Sequence, residues 1–178
     1  GTDATVTLTN CLIAGCVDLG DTTAYGTVVV NSGMRRVYMD DCRVLTNGCP
    51  FNATVRYPDK IRGAVMWAES PVTLRNCEFR CNKGFDGNNG CGLIYLYYGS
   101  GGSAFTNCLF VGNNGLKSKG AYKDHPNVAR GCLVVLQNPG DRTEVVNCTF
   151  AYNLIAGLVD GVSGKTGAAG INVVKGDT

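Results

Sequence analysis

Ten cysteines give this 178-residue sequence a large store of reactive thiols. A thiol can bridge to another, bind a soft metal or act as a nucleophile, and spacing separates these uses. Five recur in one local phrase, at Cys11, Cys42, Cys77, Cys108 and Cys148, separated by 31, 35, 31 and 40 residues. No histidine accompanies them, so they read as small apolar core residues and not as a metal track. On stacked strands such positions would lie about 4.8 Å apart with nearly parallel Cβ bonds, poor geometry for a disulfide. Most of the column is therefore expected to be reduced. Off the column, Cys16, Cys49 and Cys81 follow their partners by five, seven and four residues, while Cys91 and Cys132 flank equivalent glycines. The expected bridges are one within Cys16/Cys49/Cys81 and one between Cys91 and Cys132.

Acid–base chemistry has less to work with. The single histidine, His125, follows Asp124 in the long segment Ala121-Tyr-Lys-Asp-His-Pro126, with neither a nucleophile nor a second acid beside it. Asp18, Asp21, Asp86 and Asp160 are scattered and read as turn residues in preference to Ca²⁺ ligands. Glycoside cleavage needs two carboxylates flanking the scissile bond. Reading equivalent positions down the repeats gives Leu12, Arg43, Glu78, Leu109 and Thr149 in one outward column, and Thr9, Asp40, Arg75, Thr106 and Val146 in another. No column gathers two acids. Arg43 beside Glu78, and Asp40 beside Arg75, are expected to form cross-repeat ion pairs on a solvated face, which contribute about 0–1 kcal/mol each. No catalytic residue, metal or cofactor is expected. Asn52-Ala-Thr54 and Asn147-Cys-Thr149 match the glycosylation acceptor pattern, the first in a loop and the second in a column expected to be buried.

Aromatic residues offer a binding surface. Trp67, Tyr95, Tyr97 and Tyr98 lie in segments that are apolar on both faces, namely Val65-Met-Trp67 and Leu93-Ile-Tyr-Leu-Tyr-Tyr98. A water-facing sheet should alternate, so this face is either covered or packed against another molecule. These four residues are the candidate self-association or glycan-stacking face; which parity points inward stays open.

The elements that carry these residues follow from repetition. One phrase returns five times: Val6-Thr-Leu-Thr-Asn-Cys-Leu-Ile13, Val37-Tyr-Met-Asp-Asp-Cys-Arg-Val44, Val72-Thr-Leu-Arg-Asn-Cys-Glu-Phe79, Ala104-Phe-Thr-Asn-Cys-Leu-Phe110 and Glu144-Val-Val-Asn-Cys-Thr-Phe150. Each is followed by a glycine and an apolar run, at Gly26, Gly63, Gly92, Gly131 and Gly170. Val72 and Leu74 alternate with polar residues, as in a strand buried on one face. Asn76 breaks the alternation and tolerates the left-handed backbone of a sharp corner. Cys77 and Phe79 then resume it. Stacked repeats would let Asn10, Asn76, Asn107 and Asn147 share amide hydrogen bonds, with Asp41 in that place in the second repeat. The variable segments 17–25, 50–62, 82–91, 111–130 and 151–169 all fall between the Asn-Cys phrase and the glycine strand, so long loops are expected along one edge, where binding commonly resides.

On these residues the chain resembles the pectate-lyase-like right-handed parallel β-helix superfamily, nearest in character to repeat-containing surface proteins of bacteria and some archaea, including polymorphic outer-membrane adhesins. The resemblance covers roughly residues 4–175 and implies a coil, not an activity. The expected fold is all-β, a solenoid of about five rungs forming one domain over residues 1–178.

Composition narrows the function classes. Hydrophobic residues at 44% support a packed core, and 25 glycines with only 17% charged residues suit strands and turns. A net charge of +2 with no basic run beyond Arg35-Arg36 gives no nucleic-acid signature. No stretch of about twenty apolar residues exists to insert in a membrane. The cysteine count points to an oxidising, extracellular or cell-surface setting, and the start at Gly1-Thr-Asp3 reads as a processed or excised segment. The expectation is a non-catalytic structural subunit that associates with copies of itself, end to end or laterally, into a filament, sheath or lattice. The alternatives are an adhesin or glycan-binding module that contacts surface polysaccharide, and a fragment of a polysaccharide lyase or hydrolase.

Overall fold

The computed structural model describes residues 3–16, 27–30, 32–48, 63–83, 92–115, 132–137, 142–155 and 171–174. Each repeat of the sequence is a run of short strands. The first holds Thr5–Thr9 (β1), Leu12–Ala14 (β2) and Val28–Val30 (β3); the second holds Arg36–Asp40 (β4), Arg43–Leu45 (β5) and Gly63–Ala68 (β6). The third holds Val72–Arg75 (β7), Glu78–Arg80 (β8) and Gly92–Leu96 (β9). Ala104–Thr106 (β10), Leu109–Val111 (β11), Asn114–Gly115 (β12) and Cys132–Gln137 (β13) form the fourth. Glu144–Val146 (β14), Thr149–Ala151 (β15), Leu154–Ile155 (β16) and Ile171–Val174 (β17) form the fifth. There is no helix among the described residues.

Equivalent strands of successive repeats pair in parallel. Three five-stranded sheets result, ordered β1-β4-β7-β10-β14, β2-β5-β8-β11-β15 and β3-β6-β9-β13-β17, with β12 and β16 forming a fourth, two-stranded sheet. The register follows the sequence phrase residue for residue: Leu8, Met39, Leu74, Phe105 and Val145 are successive partners, and so are Ile13, Val44, Phe79, Phe110 and Phe150. A one-residue slip would turn each of these side chains out of the core, so burial of one face holds the register.

Two sharp corners per repeat set the geometry. At the first, Asn10, Asp41, Asn76, Asn107 and Asn147 all have φ between 51° and 55°, as expected for the residue that breaks the alternation. Gly15, Thr46, Cys81, Gly112 and Tyr152, with φ between 53° and 66°, make a second left-handed corner that the sequence reading did not foresee.

One hydrophobic cluster draws on all three large sheets, including Met39, Leu74 and Phe105 from the first, Val44, Phe79 and Phe110 from the second, and Val30, Met66, Ile94, Leu96 and Val134 from the third. The parity of the glycine strands is thereby fixed. Val28, Met66, Ile94, Val134 and Ile171 share one register column and lie in or against this cluster, whereas Trp67 and Tyr95 alternate with them on the opposite side. The rings of Phe79, Phe110 and Phe150 stack at 4.9 and 4.8 Å, close to the spacing of neighbouring strands. Stacking adds about 0.5–1.5 kcal/mol per pair beyond area burial.

Candidate functional site

The aromatic candidates are brought together, but not as an open platform. Strand register sets Trp67 beside Tyr95. Their rings stack at 4.8 Å, Tyr97 tilts against Trp67 at 4.9 Å, and Tyr98 meets Tyr97 edge-on at 4.5 Å. The Trp67 Nε1–H donates to Glu69 Oε1 at 3.2 Å. Trp67 and Tyr95 are only 2% and 3% exposed, Tyr97 is half-buried and Tyr98 is 47% exposed. A sugar stacks on an open ring face, and of the four only Tyr98 is exposed.

The cysteine column forms as expected, with Cys42, Cys77 and Cys108 buried and all five members free thiols. Each Sγ donates to the carbonyl two residues before it, at 3.2–3.5 Å. Burial raises the Cys42 thiol above its ordinary value. Within the Cys77–Cys108 pair, the shared S–H contact favours ionisation at Cys77 and opposes it at Cys108, which burial raises further. Off the column, Cys16 and Cys81 are exposed free thiols, which corrects the bridge expected within Cys16/Cys49/Cys81. The reason is register: Cys81 aligns with Thr46 and Gly15, so Cys16 sits two strand spacings away and one position along, beyond disulfide reach. The Cys91–Cys132 bridge, His125, Asn52, the four scattered aspartates and most of the long-loop edge lie outside the described residues. Asn147 is exposed, which corrects the burial expected for the second acceptor sequence.

The outward charges answer one another. Arg43 Nε meets Glu78 Oε2 at 3.3 Å and Arg75 meets Asp40 at 3.1 Å, the two cross-repeat pairs expected. Arg80 also binds Glu78, whose carboxyl is held below its usual range by that guanidinium first and by Arg43 after it.

Five residues beyond each cysteine of the column stands a polar file that sequence reasoning missed: Cys16, then Asn47, Asn82, Asn113 and Asn153. Asn47, Asn82 and Asn113 are no more than 1% exposed. Each Oδ1 accepts the backbone N–H of the preceding file member, at 2.9–3.0 Å: Cys16 to Asn47, Asn47 to Asn82, Asn82 to Asn113 and Asn113 to Asn153. Each Nδ2 donates back to a carbonyl of the preceding repeat, on Ile13, Val44, Phe79 or Phe110, at 2.8–2.9 Å. Each Nδ2 also donates to the next Oδ1 where another asparagine follows, at 3.0–3.2 Å. The constant five-residue offset from the cysteine was the available signal. An exposed, shorter ladder links Asn147 to Asn107 and Asn107 to Asn76 at 2.7 and 3.3 Å, as the repeat suggested.

The two outermost repeats differ from the middle three. Leu8, Cys11 and Ile13 at one end, and Val145, Cys148 and Phe150 at the other, are half-buried, while their counterparts within the stack are buried. Beside them Val6, Leu12, Val146 and Tyr152 are 39%, 63%, 52% and 91% exposed. At every repeat boundary the first-corner N–H donates to a carbonyl of the next repeat, as Asn107 does to Val146 at 3.0 Å. The second-corner N–H does the same, as Gly112 to Ala151 at 3.1 Å, and the N–H after the cysteine donates backward, as Thr149 to Cys108 at 2.9 Å. Asn147, Tyr152 and Leu12 hold these positions at the ends, and their N–H groups have no acceptor among the described residues.

Searches of protein-family models, of curated proteins and of solved structures found no match to this chain.

Proposed function

We propose that the three large sheets are the faces of one right-handed parallel β-helix, a single domain, and that it serves as a non-catalytic structural subunit at a cell surface, assembling with copies of itself into a filament, sheath or lattice. Parallel strands joined through an intervening segment overwhelmingly cross over in the right-handed sense, and one core shared by three in-register sheets is what such a coil encloses. The observation that carries the functional reading is the regular in-register scaffold whose outward charges answer one another across repeats: Arg43 and Arg80 pair with Glu78, and Arg75 pairs with Asp40. Those pairings engage Asp40 and Glu78, so neither stands as a free carboxylate for polysaccharide cleavage.

Negative-stain imaging with sedimentation analysis tests this reading. Fibres or sheets that grow with concentration support it. A chain that stays monomeric and binds a surface polysaccharide favours the adhesin alternative, with Tyr98 as its first contact. Cleavage of acidic polysaccharide, with or without Ca²⁺, overturns it in favour of an enzyme.

A further inference from the structure

On the outward side of the first sheet stands an arginine whose charge no carboxylate answers among the described residues. Arg43, Arg75, Arg80 and Arg142 each meet an acidic side chain. Arg36 is held instead by two neutral acceptors in the next two repeats. Its Nη1 donates to Thr73 Oγ1 and to Gly102 C=O, each at 2.8 Å. Both hydrogens of Nη1 are thereby used, while Nε–H and Nη2–H have no acceptor among the described residues. Those two groups form the edge with which a guanidinium grips an oxyanion through parallel hydrogen bonds. We propose that Arg36 and Tyr38 form a binding site for an anionic sugar, this edge taking its carboxylate or sulfate and the Tyr38 ring taking its apolar face.

The site is assembled before any ligand arrives. Val37 and Met39 are buried, so strand alternation turns Arg36 and Tyr38 outward together. Arg36 is half-buried and Tyr38 is exposed, with the guanidinium carbon 6.0 Å from the ring centroid. Hydrogen bonds to two separate repeats fix the guanidinium, so little side-chain freedom is lost on binding. Gly102, at φ 75°, leaves room for it, since a Cβ there would stand 3.4 Å from Nη2. Thr7 and Thr73 flank Tyr38 in its register column. The Thr73 hydroxyl accepts from Arg36 and keeps its own hydrogen to donate to a sugar hydroxyl.

The surroundings select a sugar over other anionic ligands. β4 is paired with β1 on one side and β7 on the other, so a peptide finds no free strand edge there to extend. Nucleic acid is held by a line of phosphate contacts, whereas the neighbouring Arg75 and Arg43 are already engaged by Asp40 and Glu78. One oxyanion, one apolar ring face and hydroxyls beside them are what a single anionic sugar residue presents together. Arg36, Tyr38, Thr73 and Gly102 belong to one chain, so the site does not depend on self-association.

Nuclear magnetic resonance titration of the intact chain at low salt tests the site. The probes are a hyaluronan hexasaccharide (carboxylate only), a sulfated galactan hexasaccharide (sulfate only), neutral cellohexaose and hexaglutamate. At least one of the two anionic sugars should shift the Arg36 Nε–H signal with a dissociation constant of about 1 mM or tighter, and cellohexaose should bind about ten-fold more weakly or not at all. The tighter of the two shows which oxyanion the site prefers. Arg36→Lys keeps the charge but loses the two-pronged edge, and should weaken binding about ten-fold. Tyr38→Ala, at an exposed position, should weaken it about five-fold. Arg80→Gln removes a cation that Glu78 already meets and should change affinity by less than about two-fold. Circular dichroism confirms that the variants fold alike. The site falls if neither anionic sugar shifts the Arg36 signal up to about 10 mM, or if Arg36→Lys and Tyr38→Ala both bind as the unaltered chain does. Hexaglutamate binding as tightly as the sugars would overturn the assignment in favour of an acidic peptide.

Discussion

Asn113 Oδ1 accepts two hydrogen bonds from Asn82, one from its backbone N–H and one from its side-chain amide, each at 3.0 Å. Asn82 in turn serves Asn47 and the carbonyl of Val44. Both asparagines are buried, so water cannot stand in when one is removed. Asn82→Ala leaves Asn47 N–H without its acceptor in the interior, removes the side-chain donor to Val44 C=O, and is expected to cost about 1–3 kcal/mol. Asn107→Gly, on the exposed ladder, keeps the left-handed corner and lets water replace the lost amide; its cost should stay under about 1 kcal/mol. Urea unfolding of the two variants measures the contrast.

Two glycines separate backbone strain from steric clash. Gly15 sits at φ 66° with nothing within 4 Å of where a Cβ would stand, so Gly15→Ala costs only the left-handed penalty, about 1 kcal/mol. Gly48 pairs in parallel with Lys83, and a Cβ there would collide with the Lys83 carbonyl. Backbone must move, so Gly48→Ala should lose at least about 2 kcal/mol. In the opposite direction, Thr46→Gly relieves a β-branched residue at φ 54° and should gain about 0.5–1 kcal/mol. Thermal or urea melts of the three variants test all of these.

The first corner was legible because asparagine or aspartate fills it in all five repeats. The second corner was not, since Gly15, Thr46, Cys81, Gly112 and Tyr152 share no side-chain chemistry and only their φ unites them. The ion pairs were legible because register alone determines which outward residues meet. Inward parity of the glycine strands was hidden: Met66 and Trp67 are both apolar, and both prove buried on opposite sides of one sheet. The aromatic candidates illustrate the consequence, since proximity of Trp67, Tyr95, Tyr97 and Tyr98 could be inferred from register but the covering of two of them could not.

Thiol reactivity should divide by burial. In the native chain Cys16 and Cys81 are expected to react readily with an aromatic disulfide reagent at neutral pH, while Cys42, Cys77 and Cys108 react only on unfolding. Peptide mapping of the labelled chain assigns the sites. Rapid native labelling of Cys108 would be inconsistent with the described core.

Glu78 gives a small acid sensitivity of known sign. Its folded-state value is lowered, so its ion pairs stabilise the fold above the unfolded carboxylate value, and that contribution fades as pH falls through the lowered folded value. Solvent screening keeps it below about 1 kcal/mol. Glu78→Gln should therefore be slightly less stable than the unaltered chain at pH 7 and equal to it near pH 2, when stability is followed by urea titration at each pH.

Parallel stacking of successive repeats underlies every statement about core, ladder and edge, and backbone NOEs on an isotope-labelled sample test it most directly. In-register parallel pairing predicts contacts between the Asn76 amide proton and the backbone of Thr106, between the Asn107 amide proton and Val146, and between the rings of Phe79 and Phe110. Strong Hα–Hα contacts linking residues 72–75 to 104–106, the mark of antiparallel pairing, would contradict it.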